Sequence, residues 1–100
     1  MHVLLLNTKN YLVERVRLYK GTAYSTTTRI AEIFRPAITR NCPHIIICHN
    51  HPSGDPFPSS EDIDFTRQAL KAADLLDIDL LDHLIIGNPK YASLKEQLKW

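Results

Sequence analysis

The shortages in this 100-residue chain narrow its class before any motif is read. It has two cysteines, Cys42 and Cys48, too few and too close for a disulfide framework. Both flank a predicted buried strand, so reduced thiols in a cytoplasmic protein are expected. Charge of one sign is also scarce. Twelve Lys and Arg against eleven Asp and Glu leave a net charge of +1. That gives no general pull toward nucleic acid or an anionic membrane. No basic stripe with interleaved aromatics stands out, so DNA binding has no support from charge. No apolar run approaches the roughly 20 residues that cross a bilayer. The apolar start is short and lacks a basic leader, so no signal peptide is visible. Repeats and low-complexity segments are absent. What remains is one small domain with 44% hydrophobic residues, enough for a core.

Against that background one stretch carries chemistry: His49-Asn50-His51-Pro52-Ser53-Gly54-Asp55-Pro56-Phe57-Pro58-Ser59-Ser60-Glu61-Asp62. The apolar strand Ile45-Ile46-Ile47-Cys48 precedes it and a long helical pattern follows. Two imidazoles two residues apart on a strand point to one face. Asp62 returns in the first turn of the next helix. Seven residues separate His51 from Ser59. Extended, they span at most about 25 Å, so the loop can fold back. Pro52, Pro56 and Pro58 stiffen it, and Gly54 supplies a position where φ can be positive. His49, His51 and Asp62 thus form a candidate site for a divalent metal, with zinc first choice. Three protein ligands leave a fourth position open, as in catalytic zinc sites. Ser59 lies one helical turn before Asp62, where its hydroxyl could reach bound water or an oxyanion.

A plainer account of the same residues stands beside this one. Ser59-Ser60-Glu61-Asp62 is close to a capping box, with Ser59 at the N-cap and Asp62 at the third position. Cys48 would point away from the histidines and makes a poor ligand.

In chain order, Val3–Leu6 reads as a strand buried on both faces. A chain that starts inside its core suggests a domain of residues 1–100 cut from a longer protein and lacking its first residues. Asn7-Thr8-Lys9-Asn10 is a turn. Val13, Val16 and Leu18 mark a second strand that forms a hairpin with the first. Arg15, Arg17 and Lys20 read as a solvated strand face. Residues 21–27 form a loop, and Thr27 or Thr28 can cap a helix. Ile30, Ile33, Phe34, Ala37 and Ile38 follow at helical spacing. Pro36 falls inside this helix and should kink it. His44 opens the next strand as a surface or satisfied histidine.

After the loop, Phe65, Ala69, Ala72, Ala73 and Leu76 predict the buried face of a long helix. Leu80-Leu81 and Leu84-Ile85-Ile86 predict one central strand interrupted by Asp82 and His83. That polar pair either satisfies itself and nearby backbone, or backs the site, with Asp82 orienting a ligand imidazole. A turn at 87–90, a short strand at 91–93 and a helix capped by Ser93 and ending at Trp100 complete the chain. The expected fold is α/β: a mixed sheet flanked by helices, in a single domain.

The order His-x-His, seven residues, Ser, two residues, Asp resembles the metal motif of the JAB/MPN/JAMM superfamily of metal-dependent hydrolases. The string from His49 to Pro56, with Lys20-Gly21-Thr22 and Leu81-Asp82-His83-Leu84-Ile85-Ile86-Gly87, resembles its bacterial RadC-like branch. The resemblance implies Zn2+ on His49, His51 and Asp62, Ser59 at the site, and a JAB-like fold. It also implies hydrolysis of a peptide or isopeptide bond; the branch carries a DNA-repair label. It implies a glutamate base upstream of the histidines, which this chain lacks at the expected place before the first strand. Glu14 and Glu32 are the substitutes to consider. The competing expectation is a non-catalytic, metal-containing interaction module. An HNH nuclease, a zinc deaminase and a zinc finger are set aside on spacing and on want of further soft ligands.

Overall fold

The computed structural model describes residues 1–18, 29–51 and 53–100. The predicted loop at 21–27, the caps at Thr27 or Thr28, Lys20, Gly21, Thr22 and Pro52 lie outside the described residues. Five strands and three helices are described: β1 (His2–Leu6), β2 (Leu12–Arg17), α1 (Ile30–Thr39), β3 (His44–Asn50), α2 (Ser60–Leu76), β4 (Asp79–Ile86), β5 (Tyr91–Ser93) and α3 (Leu94–Leu98). The strands form one mixed sheet in the order β2-β1-β3-β4-β5. Only β3 and β4 run parallel, with α2 between them in sequence. The expected α/β class with a mixed sheet is the observed one.

The hairpin follows from local chemistry. Asn10 takes a positive φ of 64°, and the Asn7 side chain accepts from the backbone N–H groups of Lys9 and Tyr11. The apolar run of β1 pairs on both sides, with β2 and β3. Val3, Leu5, Ile45 and Ile47 then meet Ile33, Phe34 and Ala37 of α1 and Ala69 and Ala73 of α2 in the main core. Full burial of a side chain such as Phe34 contributes about 1.5–3 kcal/mol.

Pro36 sits inside α1 and is buried, so its apolar ring contributes to packing where its missing N–H costs a hydrogen bond. Several expected positions differ. The N-cap of α1 falls on Arg29 and makes no side-chain capping bond. Ile38 is 55% and Leu76 44% exposed. Each lies in the last turn of its helix. The last helix stops at Leu98 because Lys99 turns left-handed. Trp100 then folds back, its indole N–H donating to the Leu80 carbonyl.

The feature that matters most for the site is in β4. Asp82 and His83 do not interrupt the strand. Instead the register against β3 slips by one residue: Ile45 pairs with Leu80, but Ile46 pairs with Asp82. Leu81 is the extra residue of a bulge. Strict alternation would put Leu80 and His83 on opposite faces. The bulge brings them to one face, where Leu80, His83 and Ile85 are all buried opposite Ile45, Ile47 and His49.

Candidate metal centre

Three elements deliver the three expected ligands. His49 is the last but one residue of β3, His51 lies just past the strand, and Asp62 occupies the first turn of α2. Their ligand atoms all lie within 4.8 Å of one another, so this group could hold a metal ion. The Asp62 carboxylate sits between the rings, with Oδ1 3.2 Å from His49 Nε2 and Oδ2 3.0 Å from His51 Nε2. A tetrahedral zinc with bonds near 2.0 Å has ligand atoms about 3.3 Å apart. The two distances, one to each carboxylate oxygen, are of that order.

The capping box is present as well. The Ser59 oxygen accepts from the Asp62 N–H at 3.1 Å, and Asp62 Oδ2 accepts from the Ser59 N–H at 2.8 Å. The cap is therefore realised, and it leaves Asp62 inside the group that could hold a metal ion.

The loop is tied back at several points. The Gly54 N–H donates to the His51 carbonyl, and Gly54 takes the positive φ of 83° that this turn needs. The His51 N–H donates to the Ile86 carbonyl at the end of β4. His51 Nδ1 lies 3.0 Å from the Asp55 carbonyl oxygen, which can only accept. His51 therefore carries a proton on Nδ1, and Nε2 is the ring atom that faces Asp62.

Electrostatics match this arrangement. Burial pushes the His49 imidazole below its usual pKa, with the Asp62 charge opposing. Burial would raise the Asp62 carboxyl, but the Ser59 backbone and hydroxyl bonds and both imidazoles outweigh it and hold the group lower than usual. The carboxylate and the ring nitrogens that face it form a donor set that could hold a cation.

Cys48 pairs with His2 across β1 and with Leu84 across β4, on the face away from the histidines. Burial, then the nearby Asp82 charge, raises its thiol pKa, which disfavours the thiolate that a metal needs.

Asp82 does not orient an imidazole. Its Oδ1 accepts from the backbone N–H of His83 and of Lys95, and the Ser93 hydroxyl donates to both its oxygens. It therefore anchors the start of α3. The residue behind a candidate ligand is His83, whose Nε2 lies 2.9 Å from His49 Nδ1. Burial drives its pKa down to about 3. Thr66, absent from the expected buried face of α2, is fully buried and touches His83. Its signal was there: Asp62, Thr66, Ala69 and Ala73 repeat at helical spacing. Glu14 pairs with Arg40, and neither Glu14 nor Glu32 joins the three-ligand group.

A mixed sheet that sets an imidazole pair at a strand end against a helix-borne aspartate is the arrangement of a JAB-type domain. The chain belongs to the RadC-like JAB domain family, whose family model matches residues 1–100. It is 48% identical over 97 residues to a UPF0758 protein of Chloroflexus aurantiacus and 50% identical over 97 residues to one of Clostridium botulinum (strain Loch Maree / Type A3). Each match covers 97% of this chain but 42% of the relative, so the chain spans less than half the length of these curated relatives.

Proposed function

We propose that the domain holds one zinc ion on His49, His51 and Asp62 and works as a JAMM-type hydrolase of amide bonds, in a peptide or isopeptide. The observation that carries this reading is the convergence of two ring nitrogens on one carboxylate, with the ligand atoms all within 4.8 Å of one another. Zinc bound there would supply Lewis acidity and lower the pKa of a water toward 7. The chain's own residues do the rest. The Asp55 carbonyl sets the His51 tautomer. Ser59 accepts from the Asp62 N–H through an oxygen lone pair, so its proton remains for charge developing on a substrate carbonyl oxygen.

A glutamate base is the missing part. The register pairs His2 with Cys48, which sets the start of β1 beside the histidines. A glutamate joined ahead of position 1 in a longer protein would therefore lie at the same end of the sheet. Without it, proton transfer slows by on the order of a hundredfold.

The second reading is a non-catalytic metal-holding module that docks other proteins or DNA. It is favoured by the absence of a second carboxylate from the three-ligand group among the described residues. Zinc uptake by calorimetry and cleavage of a broad peptide and isopeptide panel separate the two. The hydrolase reading expects 1:1 zinc binding that H51A and D62A abolish, and turnover in a longer protein carrying the upstream glutamate. Zinc binding without cleavage there, under conditions where a control JAMM enzyme works, establishes the module instead.

A further inference from the structure

Behind the imidazole pair runs a buried polar thread. Thr66 Oγ1 lies 2.7 Å from the backbone carbonyl oxygen of Asp62 and 2.6 Å from His83 Nδ1. His83 Nε2 lies 2.9 Å from His49 Nδ1. Both Thr66 and His83 are fully buried.

The direction of each bond follows from its ends. A carbonyl oxygen only accepts, so the single Thr66 hydroxyl proton goes to the Asp62 carbonyl. The Thr66 oxygen must then accept from His83, which places the His83 proton on Nδ1. Among the described residues the ring's hydrogen-bond partners are His49 and Thr66, neither of them a carboxylate, and a fully buried ring so partnered is neutral. Its Nε2 therefore offers a lone pair, and His49 must donate to it from Nδ1. With Nδ1 engaged by His83, Nε2 is the His49 atom left to face Asp62 Oδ1 at 3.2 Å, as a donor to that carboxylate or, once that proton is gone, as a metal ligand.

We infer that Thr66 and His83 form a directional hydrogen-bond wire that fixes the His49 tautomer and so selects Nε2 as its metal-binding atom. Both are positioning residues. The wire starts at the backbone of one ligand, Asp62, and ends on the ring of another, His49. It thereby braces α2 and β3 through β4. Its consequence for zinc rests on the proposed metal site; the tautomer assignment itself concerns the metal-free chain. Such bonds to ligand imidazoles change metal affinity by about 10–100-fold.

The test uses the 15N-labelled, metal-free chain and long-range 1H–15N correlation of the imidazoles at pH 7.5. The expected result is Nδ1–H on both His49 and His83. A proton on Nε2 of His83 in the wild type overturns the inference without any variant. Thr66→Val keeps the shape and removes the hydroxyl. It is expected to move the His83 proton to Nε2 and to weaken zinc binding about 10–100-fold in competition with a chromophoric chelator. Thr66→Ser is expected to restore both. A Thr66→Val chain that keeps both Nδ1–H tautomers and wild-type zinc affinity refutes the wire. Two Nδ1–H tautomers in a wild type that takes up no zinc uphold the wire and refute the metal proposal.

Discussion

Gly87 should be among the least replaceable residues of the domain, for a reason of space. A Cβ built there would lie 2.4 Å from the Gly54 carbonyl oxygen, 2.8 Å from Pro56 Cδ and 2.9 Å from the Lys90 carbonyl oxygen. Two of these are backbone atoms and the third is a proline ring, so none can swing aside. The same spot holds together two loops. The Asn88 N–H donates to the Gly54 carbonyl at 3.0 Å, and the Gly87 N–H to the Lys90 carbonyl at 2.7 Å. Gly87→Ala must push the 53–56 loop away from the β4–β5 turn. Overpacking of this kind costs about 1–3 kcal/mol, and each lost hydrogen bond about 1 kcal/mol more. A total near 2–4 kcal/mol lowers the Tm of a 100-residue domain by about 10–25 °C. The displaced loop also carries the Asp55 carbonyl that orients His51. Zinc affinity, measured below the new Tm, should therefore fall about tenfold or more. A Gly87→Ala protein with unchanged Tm and unchanged zinc affinity would show that the loop is not clamped as described.

Other outcomes are as specific. Ser59→Ala removes the acceptor for the Asp62 N–H and should cost about 1 kcal/mol, read as a Tm lower by about 4–8 °C. Zinc affinity should barely change, because the Ser59 backbone still holds Asp62 Oδ2. Asp82→Ala strands the His83 and Lys95 N–H groups and the Ser93 hydroxyl. It should destabilise by about 2–4 kcal/mol in urea titrations. Zinc binding by the folded fraction should stay within about threefold, in contrast to Thr66→Val; a larger loss would place Asp82 in the site after all. The metal-free chain should also weaken in acid. His83 has a folded pKa near 3, below the usual 6.5, so the unfolded chain binds the proton first. Stability is then full above pH 6.5 and falls as pH drops toward 3. His83 alone removes roughly 2–3 kcal/mol between pH 6.5 and 4.5. Asp62, also depressed, acts lower, below the usual carboxylate value of 3.8. A urea midpoint that is flat from pH 6.5 to 4.5 would contradict a neutral, buried His83.

Much of this could be read from residue order because the relevant spacings are short. The β1 run, the Asn7–Asn10 turn, the His-x-His pair and the Ser93 cap each depend on neighbours within a few positions, where sterics and hydrogen bonding are local. What could not be read depends on contacts distant in sequence. Which of Asp82 and His83 backs the ligands could not be read, because a bulge at Leu81 is set by pairing with β3 some 35 positions away. That single extra residue exchanges the two side chains, sending Asp82 to the start of α3 and His83 to His49. Thr66 was passed over for a related reason. Its hydroxyl looks out of place on an apolar stripe until the His83 ring arrives opposite it.

The two accounts of Ser59-Ser60-Glu61-Asp62, helix cap or metal ligand, are compatible in one geometry. A cation beside the N-terminus of α2 meets the positive end of the helix dipole, an unfavourable contact of about 0.3–1 kcal/mol. A carboxylate in the first turn reverses that sign, and both Glu61 and Asp62 stand there. The cap also limits where Asp62 can point. With Oδ2 held by the Ser59 N–H, the side chain cannot rotate away, and Oδ1 is left facing His49. Ordering an unbound side chain of this size would cost on the order of 0.5–1 kcal/mol at the moment of binding. Here the helix end has done so as the chain folds. Zinc binding should therefore require little rearrangement of Asp62, and the rearrangement that remains belongs to the histidines. Their ring tautomers, held by the Asp55 carbonyl and by His83, are the remaining control on affinity at this site.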